Sequence, residues 1–483
     1  MIAGCSSQVV ETVWVNILEM NDIHGHIEQD SFGKNGVSNA AYLVNQIRQE
    51  DSYDNTLLIG NGDMLQETAI SRVSYGRVVI EAMNAMQFDL MGIGNHEFDW
   101  GLPKVLEYFD GNAENGEASF PLINSNIYFE NELLIVGDHV TSGVILEKEH
   151  VKIGVLSYIG NVSSSISANK REGYEFSAKT SEITASVATL GSQLKEAGAD
   201  LLVVNIHGGE SKGIESYEPN QRLAELKYKD KYLVDAVING HTHTKQSGSI
   251  ARKNGAAMPV VQSSGKLANF GRIDLKFDVN KREVVSTKIS HSIVKEATGF
   301  DSTVEEVVDS FYQRDKAVLE EVYCENKKSF ERNSPYLYQY TANLMMAATN
   351  ATAAVCNTGA FRNDVDKGPF DFNQLYALNP FDNSIILCEI KGIDLKRFYD
   401  ANSRFEFVYT KDYGSSIATN QTYTLAIIDY VYFSNYFAGY RTGNYQDTNW
   451  IVRDLFIEDL RLRKERGFDI YEDYLSVEIS CRM

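Results

Sequence analysis

The chain has 483 residues, with 66 acidic against 45 basic side chains and a formal net charge of −21, so it lacks the basic footprint that nucleic acid or an anionic membrane surface requires. A small phosphorylated ligand stays open, because a local positive pocket with metal overrides the global charge. A hydrophobic content of 43% is ordinary for a globular chain with a sizeable core, and the length fits about two to four domains.

At the start, Ile2-Ala3-Gly4-Cys5-Ser6-Ser7 resembles the tail of a bacterial lipoprotein signal, in which the cysteine becomes the lipidated first residue. Residues 1–12 are therefore expected to be a tether or signal remnant, with a lipid anchor at Cys5 and an extracytoplasmic location. The five cysteines (Cys5, Cys324, Cys356, Cys388, Cys481) are widely spaced and form no CxxC pair, which indicates neither a disulfide framework nor a thiolate zinc site. No apolar run reaches the roughly eighteen residues of a transmembrane helix.

Val13 to Met20 reads as a strand running to Asp22. Ser38 to Gln49 reads as a helix, with Ala40, Ala41, Leu43, Val44 and Ile47 on one face. Thr56 to Ile59 is the next strand, Val78 to Met86 a helix, and Asp89 to Ile93 a strand. Val151 to Leu156, Leu201 to Ile206 and Val234 to Ile238 are near-continuous apolar runs, as in strands buried on both faces. After Val260 to Gln262 and Gly271 to Phe277 the pattern changes. Asp301 to Lys327 is charged and helical, and the remainder is richer in aromatics, with strands at Ser384 to Ile390 and Thr422 to Ile428. These readings predict an α/β domain over 13–300, a linker helix over 301–328 and a second α+β domain over 329–483.

Five clusters of metal-type donors each follow a short apolar run. They are Asn21-Asp22-Ile23-His24-Gly25-His26, Gly60-Asn61-Gly62-Asp63, Gly94-Asn95-His96-Glu97-Phe98-Asp99, His207-Gly208-Gly209 and Gly240-His241-Thr242-His243. Six of the nine histidines lie in them, which makes chance placement of the set implausible even though any one residue alone reads as a turn or core position. Asp, Asn and His at strand ends point to a site for two divalent ions. Asp22 with His24, and His241 with His243, are spaced so that an extended backbone would put each pair on one side. Asp63 is the candidate bridging carboxylate, and Asn95 and His207 complete the donors. His96 follows a ligand directly, so it is better read as a proton donor whose ring Asp99 holds. His26 stays either a supporting or an exposed residue. His139, His150 and His291 read as surface residues.

In this order the clusters resemble the calcineurin-like metallophosphoesterases, and more closely the two-domain 5′-nucleotidase family, which includes UDP-sugar hydrolases and 2′,3′-cyclic-nucleotide phosphodiesterases. The resemblance implies a layered α/β/β/α catalytic domain with a metal pair. It assigns Asp22, His24, Asp63 and His243 to one ion, Asp63, Asn95, His207 and His241 to the other, and makes His96 with Asp99 the catalytic dyad. It implies hydrolysis of nucleotide phosphoesters by metal-bound hydroxide, with Mn, Zn, Fe or Co as the metals. Phe120-Pro121-Leu122-Ile123-Asn124-Ser125-Asn126 and Val261-Gln262-Ser263 also match family stretches. In the second half, Asn357-Thr358-Gly359-Ala360-Phe361-Arg362 and Asn379-Pro380-Phe381-Asp382-Asn383 resemble its substrate segments, so Asn357, Arg362, Asn379 and Phe381 are implied substrate residues. Arg362 could grip phosphate and Phe381 could stack on a base. Two departures stand out. Ser334-Pro335-Tyr336-Leu337-Tyr338 replaces the family's Arg and acid before a helix expected to begin near Thr341. Ser434 to Tyr440 replaces a Gly-rich loop, leaving Tyr440, or else Phe437, as the second stacking ring. The alternatives are a cyclic-nucleotide or UDP-sugar substrate at the same site, and a non-catalytic surface lipoprotein that keeps the fold.

Overall fold

The computed structural model describes residues 11–28, 38–50, 55–293, 299–402, 406–410 and 416–466. Cys5 and the rest of the tether as far as residue 10 lie outside the described residues. The chain divides into two units. The first takes the residues up to Gln66, Ser74–Ile166 and Gly173–Phe311; the second takes Glu67–Val73, Ser167–Glu172 and the residues from Tyr312 onward.

Two large sheets form the core of the first unit. The larger has seven strands in the order Glu283–Ile293, Asn269–Asp278, Thr12–Met20, Thr56–Asn61, Leu90–Gly92, Leu122–Ile123 and Val140–Thr141. From Thr12–Met20 onward neighbours are parallel, and the first two strands pair antiparallel. The other sheet orders Gln246–Ala251, Ala257–Gln262, Ala236–Asn239, Leu201–His207, Val151–Ile159 and Val144–Lys148, its four inner strands parallel. Val15, Ile17, Leu57 and Ile59 of the first sheet share one core with Ile153, Val155, Leu201, Val203 and Ile238 of the second. Leu202, Val204 and Ile206 point the opposite way, into a core closed by Ile183 and Val187 of the helix Thr180–Glu196. Successive strand side chains alternate faces, so a strand that feeds two cores must be apolar at nearly every position. On the outside of the larger sheet, Met83 of the helix Arg77–Met86 packs against Gly60, and the helix Asn39–Glu50 buries the predicted face. The layering is helix, sheet, sheet, helix, and each fully buried Leu, Ile or Val contributes roughly 1.5–3 kcal/mol.

The second unit carries a five-stranded sheet in the order Glu406–Thr410, Ala353–Asn357, Thr422–Ile428, Ser384–Lys391 and Tyr445–Ile451. The helix expected over 301–328 is shorter, spanning Ser302–Leu319. Val322–Asn326 is a strand paired antiparallel with Gly368–Asp371, because Val322, Tyr323 and Cys324 suit a pleated surface and Tyr323 and Cys324 are buried there. The next helix runs Pro335–Thr349 and so starts well before Thr341. Ser334 takes the N-cap position and Pro335 the first turn, where the missing N–H of proline costs nothing.

Candidate active site

The donor clusters stand at the carboxyl ends of parallel strands. Asp22 and His24 follow Thr12–Met20, Asp63 follows Thr56–Asn61, and Asn95 follows Leu90–Gly92. His207 ends its own strand, and His241 and His243 follow Ala236–Asn239. Strand alternation is not what aims them. Asp22, His24, Asp63, His241 and His243 have φ of 53°, 52°, 53°, 72° and 50°, so the chain has already turned into the left-handed region. Asp, Asn and His tolerate that region better than other residues with a Cβ. At Gly94 a Cβ would stand 2.3 Å from Asp63 Oδ1, so only glycine lets the Asn95 loop approach the Asp63 carboxylate.

Asp22, His24 and His243 bring one donor atom each within 4.8 Å of one another, as do Asp63, His207 and His241, and also His24, Asp63 and His96. His207 Nε2 is 3.0 Å from Asp63 Oδ2, and His243 Nε2 is 3.2 Å from Asp22 Oδ1. His24 Nε2 lies 3.8 Å from Asp22 Oδ1 and 4.0 Å from Asp63 Oδ2. Asn95 Oδ1 is 2.8 Å from His241 Nδ1. His26, half-buried, belongs to none of these groups.

The tautomers follow from the partners. His207 Nδ1 is 2.7 Å from the Asn61 carbonyl and His24 Nδ1 is 3.0 Å from the Gln66 carbonyl. A carbonyl only accepts, so each Nδ1 holds the proton and each Nε2 presents a lone pair. The His207 lone pair faces Asp63 Oδ2, and the His24 lone pair faces His243 Nε2 at 3.0 Å with the Asp22 and Asp63 carboxylates behind it. His207 Nε2 and Asp22 Oδ1 are buried and make no hydrogen bond of ordinary geometry. Lone pair against carboxylate repels unless a cation or a second proton lies between, so the donor set fits a divalent cation. With a proton in that place, burial pulls the His207 imidazole down, but the Asp63 charge beside it prevails and raises it to about 9. Against the effect of burial, His207, His96 and His24 hold Asp63 well below the usual carboxylate range. Burial and the nearby His207 together pull His241 down to about 4.

His96 turns its Nδ1 to Asp99 Oδ2 at 2.7 Å, and its backbone N–H donates to Asp63 Oδ1 at 2.7 Å. Its ring packs edge-on to His24, with centroids 5.0 Å apart. Glu97 has no role in the sequence reading, yet it holds the site together. Buried, it accepts from the backbone N–H of Asp63 and Met64 at 2.8 Å and of Gly94 at 2.7 Å, which ties the Asp63 and Asn95 loops together. Burial and the neighbouring Asp63 push its carboxyl up to about 7. The only signal for it is an acid inside the Gly94-Asn95-His96-Glu97 motif. His150 is exposed and His139 partly so, while His291, also half-buried, has Nε2 2.9 Å from the Gln262 carbonyl and so departs from the surface position expected of it.

In the second unit the Arg362 guanidinium lies 5.4 Å over the Phe381 ring, so two implied substrate residues meet. Asn357 ends the strand Ala353–Asn357 with a buried Oδ1 that has no hydrogen-bond partner. Asn379 is buried, and Arg453 Nη1 donates to the carbonyls of Asn379 and Phe381 at 3.2 and 3.3 Å. Phe437 is completely buried against Phe398 and Tyr432, which removes it as a stacking ring. Tyr440 is half-buried and packs 5.5 Å from Phe398.

Residues 15–245 match the calcineurin-like phosphoesterase family and residues 316–400 match the 5′-nucleotidase C-terminal domain. The chain is 25% identical over 471 residues to the endonuclease YhcR of Bacillus subtilis, covering 87% of this chain but only 37% of that protein. It is 25% identical over 441 residues to a snake venom 5′-nucleotidase of Naja atra, covering 80% of this chain and 77% of the other. A 5′-nucleotidase precursor from Thermus thermophilus shares the fold with a TM-score of 0.71 at 18% identity, over 94% of this chain and 97% of that one. With both domains present in order and a buried Asp/His centre that suits divalent metal, the chain belongs to the two-domain 5′-nucleotidase family of calcineurin-like phosphoesterases and is a phosphoester hydrolase.

Proposed function

We propose that the chain hydrolyses nucleotide phosphoesters with two divalent ions. Asp22, His24, Asp63 and His243 would hold one, and Asp63, Asn95, His207 and His241 the other, with Asp63 shared. The observation that carries this is the pair of imidazoles, His24 and His207, whose Nδ1–H is taken by a backbone carbonyl while Nε2 faces another donor, His243 Nε2 for His24 and the Asp63 carboxylate for His207. When bound, such ions supply Lewis acidity at the phosphoryl oxygens and acidify a water for attack on phosphorus. The chain's own residues do the rest. Glu97 fixes the two loops that carry Asp63 and Asn95. Asp99 anchors His96 through Nδ1, which leaves Nε2 to give its proton to the leaving oxygen. In the second unit, Arg362 would pair with phosphate, Phe381 and Tyr440 would stack on the base, and Asn357 and Asn379 would offer polar contacts.

In this reading residues 13–300 are catalytic and residues 329–483 recognise the nucleotide, with the helix Ser302–Leu319 between them in sequence. The venom relative supports an extracytoplasmic location, and the lipoprotein-like stretch Gly4-Cys5-Ser6-Ser7 would make Cys5 the lipid attachment. No helix among the described residues is long and apolar enough to cross a membrane.

The test is a panel of AMP, ATP, UDP-glucose, 2′,3′-cyclic AMP and an aryl phosphate, each with Mn or Zn. The expected result is highest kcat/KM on a nucleotide, with Phe381→Ala raising KM for nucleotides and sparing the aryl phosphate. Equal damage to both substrate types would assign Phe381 to packing alone.

A further inference from the structure

The strands Leu201–His207 and Ala236–Asn239 carry metal donors at their carboxyl ends, and at their amino ends the first unit has a cavity of about 760 Å³. Cationic side chains dominate its lining. Two of its acids are already engaged. Asp235 accepts from Leu202 N–H at 2.8 Å and pairs with Lys195 at 3.2 Å, while Asp200 accepts from Lys152 N–H at 2.9 Å and pairs with Arg282. What remains is Lys227, Lys229, Lys231 and Arg252 against Asp230 and Glu283, an excess of positive charge on a chain whose net charge is −21. The short hairpin Lys227–Tyr228 and Lys231–Tyr232 presents lysine and tyrosine in alternation.

Arg252 lines the cavity. Its guanidinium lies 4.5 Å over the Tyr232 ring, with Lys227 Nζ 5.2 Å from the same ring. One of its N–H groups reaches the Val234 carbonyl, but Nε is buried and has no acceptor. A buried charged donor without an acceptor is unfavourable, and an anion beside it would satisfy both the donor and the charge. Burial also draws the Arg252 guanidinium below its ordinary value, outweighing the nearby Asp235 and Glu225, which raise it.

We propose that this cavity is a phosphate-binding site separate from the metal site, taking the phosphate group either as inorganic phosphate or on a small phosphorylated molecule. Arg252 supplies the fixed donor at the wall, and Lys227 and Lys229 supply mobile charge at the rim. The free anion and the phosphorylated molecule share the same chemistry, so both are used as probes.

Equilibrium dialysis at low salt tests the site, with labelled inorganic phosphate against the full-length metal-loaded protein, and with both phosphate and labelled AMP against its Asp63→Ala variant, which does not consume AMP. A class of bound phosphate should persist in Asp63→Ala, where the metal centre is crippled, and should weaken about tenfold in Arg252→Gln. The double variant Lys227→Gln/Lys229→Gln should weaken it similarly, and decides the matter if Arg252→Gln does not fold, because both lysines are exposed. Tighter retention of AMP than of phosphate would identify a phosphorylated molecule as the ligand; the reverse would identify the free anion. The proposal is overturned if neither probe binds, if all binding disappears with Asp63→Ala, or if the cavity variants bind as the wild type does.

Discussion

Gly94 shows how a single missing atom sets the metal centre. A Cβ there would stand 2.3 Å from Asp63 Oδ1 and 2.5 Å from Asp63 N, both on a loop that Glu97 pins by two backbone hydrogen bonds while a third holds Gly94 itself. The loop cannot yield, so in Gly94→Ala the carboxylate must. Loss of such support typically costs 10–100-fold in metal affinity, roughly the drop expected here on dialysis against a weak chelator. Wild-type metal content in Gly94→Ala would mean that the loop relaxes some other way. His96 makes the contrasting case. Its side chain is anchored to Asp99 through Nδ1, and its backbone N–H donates to the Asp63 carboxylate. His96→Asn should therefore keep metal while kcat on nucleotides falls by roughly 10²–10⁴, with a smaller fall on aryl phosphates, whose leaving groups need no proton. Loss of metal, or an equal fall for every leaving group, would rule out the proton-donor role.

At the scale of elements, the loop Asn379–Asn383 is held from beneath by the first turn of the helix Val452–Arg466. Arg453 is 1% exposed, its guanidinium 4.5 Å over the Tyr376 ring, and it contacts the Asn379 and Phe381 carbonyls and the Asp382 carboxylate. A lysine offers one point charge and cannot reach three acceptors from one position. Arg453→Lys should raise KM for nucleotides and leave the aryl phosphate nearly unchanged, and its effect should not add to that of Phe381→Ala. Equal loss on both substrates, or full additivity, would show that Arg453 supports the unit as a whole and not this loop. The sequence could not reveal this device. Val452–Arg466 is rich in charged residues, yet Arg453, Asp459 and Arg463 lie on its buried side, with Arg463 Nε 2.5 Å from Asp459 Oδ2. The metal clusters were legible for the opposite reason. Left-handed turns at strand ends admit few residue types, so Asp, His and Gly stand out there, and the apolar runs before them can hardly be anything but strands buried on both faces. The aim of Asp22, His24, Asp63 and His243 was not legible, because it comes from φ values of 50° to 53° and not from strand periodicity.

For the molecule as a whole, acidity is the dominant electrostatic fact, and a buried acid makes it bear on stability. Asp429 is 2% exposed, accepts from Asn169 Nδ2 at 3.0 Å, and is raised to about 6, chiefly by burial. An unfolded aspartate titrates near 4, so between about pH 4 and 6 the native state holds a proton that the unfolded state has released. The sign is therefore fixed. The stabilising contribution is complete below about pH 4, fades as pH rises through about 6, and is absent above it, a change of roughly 2–3 kcal/mol from this group alone. In Asp429→Asn the neutral amide imitates the protonated acid at every pH. Urea denaturation followed at pH 4, 5 and 6 should show wild-type stability falling relative to Asp429→Asn across that range. The comparison between the two proteins cancels the other carboxylates, which titrate in both. Parallel pH profiles would mean that Asp429 keeps its charge in the folded state, with Asn169 and solvent outweighing burial.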